Sequence, residues 1–186
     1  KPADALESLE PIAPLAGPFY ARVPWVANRP ARILVVGDST ALAVGQGLAE
    51  WAIDHPRSAQ VSVLSRPGVG FVLDGEITSF DGSSYQDGSF EVVRTDLPNA
   101  VTELRPDVVV LMTTPMDIAT RQWGRSEGPI GPNSPAFRER MVEWYREVTD
   151  DLAAMGVPTV VWVIGPTPFG VSQQSPELLD VERYAV

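Results

Sequence analysis

Cysteine is absent from the 186 residues, which excludes disulfide bridges and thiolate metal sites. Lysine occurs once, at Lys1, against thirteen arginines, a skew that suits GC-rich bacterial coding. The 14 basic residues are outnumbered by 24 acidic ones, for a formal net charge of −10. That balance argues against nucleic acid and anionic membrane surfaces as partners, and leaves neutral small molecules and glycans. Histidine also occurs once, at His55, so chemistry that needs an imidazole has a single candidate here. Gly-x-Gly-x-x-Gly, Gly-x-x-x-x-Gly-Lys and Gly-x-Ser-x-Gly are all missing, so dinucleotide, P-loop and nucleophile-elbow readings lack support and no cofactor is expected. No apolar run nears the roughly 20 residues of a membrane span. The longest, Val108 to Met112 and Val160 to Ile164, are strand-sized, so this segment is not expected to insert in a bilayer. The first residue is Lys1 rather than Met. The chain is therefore expected to have been processed or cut from something larger, and no signal peptide is visible in it.

What is present is ordinary for a globular protein, with 44% hydrophobic and 20% charged residues. The length suits one domain with a sizeable core. Residues 1–30 read as a Pro-rich N-terminal arm or linker: Pro2, Pro11, Pro14, Pro18, Pro24 and Pro30 interrupt regular structure, while Phe19, Tyr20 and Trp25 offer surface anchors. An ordinary arm and a tether to an upstream domain both fit. Residues 31–186 then form the domain proper.

From Arg32 onward strands and helices alternate. Ile33–Val36, Val61–Leu64, Val108–Met112 and Thr159–Ile164 are the strand candidates. Helices are predicted over Ala41–Ile53, roughly Leu97–Leu104, and Pro135–Met155. The last has Ser134 as its N-cap, Pro135 in its first turn and Gly156 as a left-handed stop. Its apolar face is Phe137, Met141, Trp144, Tyr145, Val148 and Leu152. Continuous apolar strands between helices imply a mainly parallel sheet covered on both faces, a three-layer α/β/α sandwich with flavodoxin-like layering. Residues 74–96 and 118–134 are rich in Gly, Ser and Pro and read as long loops that shape a substrate site at one sheet edge.

The most informative stretch is Gly37-Asp38-Ser39-Thr40, directly behind the apolar run Ile33–Val36. A buried strand stops there at a tight turn and a helix begins. Ser39 is thereby expected at the carboxyl end of a central strand and at a helix amino terminus, where open α/β sheets take ligands and where negative charge is stabilised. Asp38 is expected to brace the turn. Asp38 and Asp117 together offer a cation site only weakly, and no metal is expected.

The Gly-Asp-Ser block behind a first strand resembles block one of the SGNH (GDSL-type) hydrolases, in which that serine is the nucleophile. The family's second block gives a glycine whose backbone N–H binds the oxyanion. Arg66-Pro67-Gly68-Val69-Gly70-Phe71 stands where that block falls, with Gly70 the preferred match and Gly68 the alternative. The third block, Gly-x-Asn-Asp, is matched by Thr114-Pro115-Met116-Asp117. Asp117 keeps the acidic position and is implied to support the Ser39 loop. Met116 stands in place of the asparagine donor and cannot donate a hydrogen bond, which leaves the Thr114 hydroxyl as a substitute. A bulky residue there resembles an actinobacterial subset of these domains, often fused behind a multi-spanning membrane O-acyltransferase.

The family's D-x-x-H motif, which supplies the base, has no match in the chain. His55, in Asp54-His55-Pro56, lies some thirteen helical residues from the Ser39 end, about 20 Å at 1.5 Å per residue, and is expected to be a surface residue. Either the motif lies beyond Val186, where Pro176 to Tyr184 reads as the start of a helix, or the domain has kept the fold without the chemistry.

The resemblance covers residues 32–184 and implies a serine-dependent esterase or O-acyltransferase. Small acyl esters, such as O-acetyl groups of extracellular glycans, are the implied substrates, and the implied location is extracytoplasmic. The alternative is an inactive module that binds a glycan or partner protein. Trp123, between Arg121 and Arg125, is the candidate substrate contact.

Overall fold

A computed structural model describes residues 29–78 and 83–164. Along them run β1 (Ala31–Gly37), α1 (Ser39–Asp54), β2 (Ala59–Ser65), β3 (Glu76–Thr78), β4 (Ser84–Tyr85), α2 (Ser89–Glu91), a π turn (Val92–Asp96), α3 (Leu97–Leu104), β5 (Val108–Met112), a 3-10 turn (Pro115–Ile118), β6 (Arg121–Gln122), α4 (Pro135–Ala154) and β7 (Thr159–Val163).

The four apolar runs pair in parallel as one sheet of order β2-β1-β5-β7. Successive side chains of a strand face opposite sides, and here both sides are apolar. Leu34, Val36, Val109 and Leu111 face a core with Leu97 and Val101 of α3 and with Phe137, Met141, Tyr145, Val148 and Leu152 of α4. Val35 and Met112 face the other way, under Ala41 of α1, with Ile33, Leu48, Val61, Val110 and Val163 packed around them. The protein is thus an α/β fold with a parallel sheet between helices, as the alternating pattern predicts.

The chain leaves β1 for β2 on one side and returns across it to β5 on the other. The border between β1 and β5 is therefore the point where strand order reverses, and ligands of open α/β sheets bind beside such a border at the carboxyl ends of the strands. Gly37 makes the border tight. A Cβ there would lie 2.9 Å from both Ala41 Cβ and the Met112 carbonyl oxygen, so only glycine lets β1, α1 and β5 meet.

The two segments read as loops need correction. Parts of them pair as a second, antiparallel sheet of order β4-β3-β6, joined by Ile77 opposite Tyr85 and Ile77 opposite Arg121. Helical structure also begins at Ser89, eight residues before the predicted start, and reaches Leu97 through the π turn. α4 closes on Gly156 at φ +82° as predicted, whereas Ser134 occupies the N-cap without a side-chain cap bond. The expectations for residues 1–28, and those for Pro176 to Tyr184 and beyond, lie outside the described residues.

Candidate functional site

The turn between β1 and α1 sets the site. Asp38 is the N-cap of α1, and its carboxylate accepts the Thr40 N–H at 2.8 Å. Asp38 is buried while Ser39, the first helical residue, is exposed. The first-turn N–H groups of a helix have no intrahelical acceptor; Asp38 takes that of Thr40, and the exposed Ser39 hydroxyl stands at the positive end of a 16-residue helix. Arg66 N–H donates to the Gly37 carbonyl at 3.1 Å, which ties the loop after β2 to the same edge.

That loop and the one after β5 are stitched together by Asp117. Its Oδ1 accepts the N–H groups of Phe71 and of Val72, the latter at 2.9 Å, and its Oδ2 accepts the Thr114 N–H at 2.9 Å. Thr114 and Asp117 form a reciprocal capping box around the 3-10 turn. Asp117 is fully buried. Burial pushes its carboxyl up to about 6, against three backbone donors and the nearby Arg121 cation, which favour the anion. Asp117 thus ties the Phe71–Val72 segment to Thr114.

Of the oxyanion donors that the resemblance implies, the Ser39 N–H, the Gly70 N–H and the Thr114 hydroxyl, the last two are already engaged. The Gly70 N–H donates to Ser89 Oγ at 2.8 Å in a buried bond. The Thr114 hydroxyl donates to the Val69 carbonyl at 2.8 Å and accepts the Met116 N–H at 3.1 Å. Gly70 is required where it stands, since a Cβ would fall 2.6 Å from Asp117 Oδ1. Gly68 is exposed at φ +73°, with open space around it.

Sequence reasoning missed Arg121, which is 1% exposed. Its Nη2 donates to Asp87 Oδ2 at 3.2 Å and to the Met116 carbonyl at 3.0 Å, and its Nη1 donates to the Asp74 carbonyl at 3.3 Å. Asp87 Oδ1 in turn accepts the Ser89 N–H at 3.0 Å. A chain of contacts therefore runs from Met116 through Arg121, Asp87 and Ser89 to Gly70. Tyr85 was missed as well: its hydroxyl lies 3.7 Å from Met116 Sδ.

Trp123, the candidate substrate contact, is tied into the fold on several sides. Its indole N–H donates to the Leu73 carbonyl at 3.3 Å, its ring meets Phe137 edge-on at 5.4 Å, and the Arg140 guanidinium lies 4.7 Å from its centre. It also borders a groove of about 270 Å³ with Glu76, Gln86, Gln122 and Arg125. His55 is the C-cap residue of α1, stacked on Trp51 at 4.4 Å with Nδ1 2.8 Å from the Trp51 carbonyl. At 1.5 Å per residue, about 24 Å of helix lies between it and Ser39.

No family model matches the chain, and no curated protein does. Among solved structures, an acetyl xylan esterase matches at 16% identity with a TM-score of 0.47, over 83% of this chain and 68% of that one. The periplasmic domain of a lipopolysaccharide acetyltransferase from Salmonella ser. Paratyphi A matches at 13% identity with a TM-score of 0.49, over 84% of this chain and 61% of that one. This chain thus spans about three fifths of the length of that domain. Among the described residues, no helix is long and apolar enough to cross a membrane.

Proposed function

We propose that this chain is the nucleophile-bearing part of an SGNH-type serine esterase or O-acyltransferase. The observation that carries the reading is the exposed Ser39 at the first turn of α1, beside the border where strand order reverses. Ser39 Oγ attacks the carbonyl carbon of a small acyl ester as its proton passes to a base. The carbonyl electron pair moves onto oxygen, where the Ser39 N–H and the positive end of α1 stabilise it. Collapse expels the alkoxide, which takes the proton back from the base. The acyl group on Ser39 then passes to water or to a sugar hydroxyl by the same steps.

A serine hydroxyl is a weak nucleophile without an adjacent base, and His55 is too distant to serve. The reading therefore requires an Asp/His pair from outside the 186 residues. It also takes acylated extracellular glycans as substrates, an extracytoplasmic location and a membrane acyltransferase domain upstream, all on the strength of the motif resemblance. Trp123 and the groove beside it are the proposed sugar contact.

A second reading, a non-catalytic glycan- or protein-binding module, is favoured by the Gly70 N–H already donated to Ser89. Hydrolysis of p-nitrophenyl acetate by the full-length protein separates the two. The enzyme loses turnover in S39A, whereas a binding module turns over nothing in either form and keeps its ligand.

A further inference from the structure

The small antiparallel sheet has an outer face whose side chains take no part in the reaction at Ser39. Residues directly opposite in an antiparallel pair share a face, and successive residues alternate between faces. Ile77 and Arg121 are paired and buried. Glu76 and Gln122, one step along, are also paired and face the other way. Together with Gln86 and Arg125 they line a groove of about 270 Å³ that Trp123 borders. Glu76, Gln86 and Arg125 are exposed, and their side chains have no hydrogen-bond or ion-pair partner among the described residues. Gln122 Nε2 donates to the Gly124 carbonyl at 3.2 Å, which fixes that amide at the groove.

The frame of the groove is rigid. Gly75 lines it as bare backbone, and a Cβ there would lie 3.1 Å from the Gln122 carbonyl oxygen and 3.2 Å from Trp123 Cδ1. Trp123 is pinned in turn by the Leu73 carbonyl, Phe137 and Arg140. A wall that is already fixed loses little freedom when a ligand arrives. β3 follows the loop after β2, and β6 follows the 3-10 turn after β5. The groove is thus built on the loops that leave the carboxyl ends of the parallel strands, the sheet edge at which α1 begins with Ser39.

The lining selects its ligand by chemistry. One carboxylate and one guanidinium cancel in charge, and two amides add donors and acceptors without changing that balance. A phosphate, sulfate or uronate meets Glu76 as a like charge, whereas an uncharged ligand with several hydroxyls engages every one of these groups. The indole adds an apolar surface beside them, which suits the C–H face of a sugar. We infer that this groove is a recognition subsite for one ring of a neutral carbohydrate, with Glu76, Gln86, Gln122 and Arg125 as its specificity-determining residues. The inference deepens the sugar contact proposed above and rests on that reading, not on the chemistry at Ser39. Ligand pockets run to about 300–1,000 Å³, so a groove of about 270 Å³ takes a single ring and leaves the rest of a glycan in solvent.

The test is binding of the full-length protein and its E76A/Q86A and R125A variants to an array of unacylated oligosaccharides, some neutral, some uronate-bearing and some sulfated. Hydrolysis of p-nitrophenyl acetate by wild type and S39A runs alongside. The wild type is expected to bind a neutral oligosaccharide and no acidic one. Each variant loses a hydrogen bond to a charged group and is expected to weaken that binding by about tenfold. The substituted side chains are exposed, and circular dichroism reports whether each variant is folded. No binding to any neutral oligosaccharide, a preference for acidic ones, or binding that either folded variant leaves within twofold of wild type overturns the groove assignment. Ester hydrolysis that S39A abolishes then still supports the Ser39 reading. Binding to a neutral oligosaccharide that both variants weaken, with hydrolysis absent or left intact by S39A, overturns the Ser39 reading and supports the groove.

Discussion

Asp117 fills the space that a side chain at Gly70 would need: a Cβ on Gly70 would lie 2.6 Å from Asp117 Oδ1 and 3.1 Å from the Asp117 backbone nitrogen. The carboxylate cannot retreat easily, because the Phe71, Val72 and Thr114 N–H groups hold it on both oxygens. The loops after β2 and β5 are consequently one unit, closed by one acid and one glycine.

G70A is the direct probe of that contact. The added methyl must drive the two loops apart, and overpacking of this kind costs about 1–3 kcal/mol. Urea unfolding of the wild type and variant measures it. A cost below about 0.5 kcal/mol, the ordinary scatter of surface substitutions, contradicts the close packing.

The Asp117 carboxyl also gives stability a pH signature. Its value rises from 3.8 to about 6 on folding because burial disfavours the anion. Between these values the native state holds more of the proton than the unfolded chain does, so stability falls as pH rises through the window. The contribution is fully present below about pH 4 and lost above about pH 6, and amounts to about 3 kcal/mol at most. Unfolding free energies of wild type and D117N at pH 4, 5, 6 and 7 test the sign. The advantage of aspartate over asparagine is expected to shrink across that range.

Arg121 and Asp87 are 1% and 8% exposed at the side chain and lie 3.2 Å apart. Removing one partner of a buried pair leaves an uncompensated charge, at a cost of about 3–5 kcal/mol. D87N is expected to fall in that range, and R121M/D87N to cost less than the sum of the two single changes. A double-mutant cycle by thermal or urea unfolding reads the coupling.

Much of this was legible because it is local. The strands β1, β5 and β7 are contiguous apolar runs rich in β-branched residues, and β2 carries Val61, Val63 and Leu64. α4 carries its start, its stripe and its stop within two dozen residues. The turn at Ser39 follows from a strand running into a helix, with Asp38 as its cap. The antiparallel sheet was not legible. Its strands are two or three residues long and pair across the sequence, as Ile77 does with Arg121, so no period betrays them. The start of the helical stretch at Ser89 did leave a signal. Asp87-Gly88-Ser89 is a side-chain-capped turn, with Asp87 accepting the Ser89 N–H, but the glycines and serines around it read as loop. Arg121 had no local signal at all, since its burial depends on Asp74, Asp87 and Met116 converging from three segments.

Trp123 illustrates the same limit in a single side chain. As a loop tryptophan between arginines it reads as a substrate contact or a loop anchor, and its packing on Phe137 and Arg140 gives it a structural share. W123A is expected to destabilise the fold by about 2–4 kcal/mol, toward the lower end for a large aromatic because the ring is only partly buried. Thermal unfolding checks this. Any rise in KM for a glycan ester has to be read after that loss is known.

The most direct test of the account is to trap the acyl group on Ser39. The full-length protein is incubated with p-nitrophenyl acetate, quenched in acid and mapped by peptide mass spectrometry. The account predicts an acetyl group on the peptide containing Ser39, absent in S39A. Ester turnover with no acetyl on Ser39 at any quench time, or an acetyl group on another residue in both proteins, would contradict it.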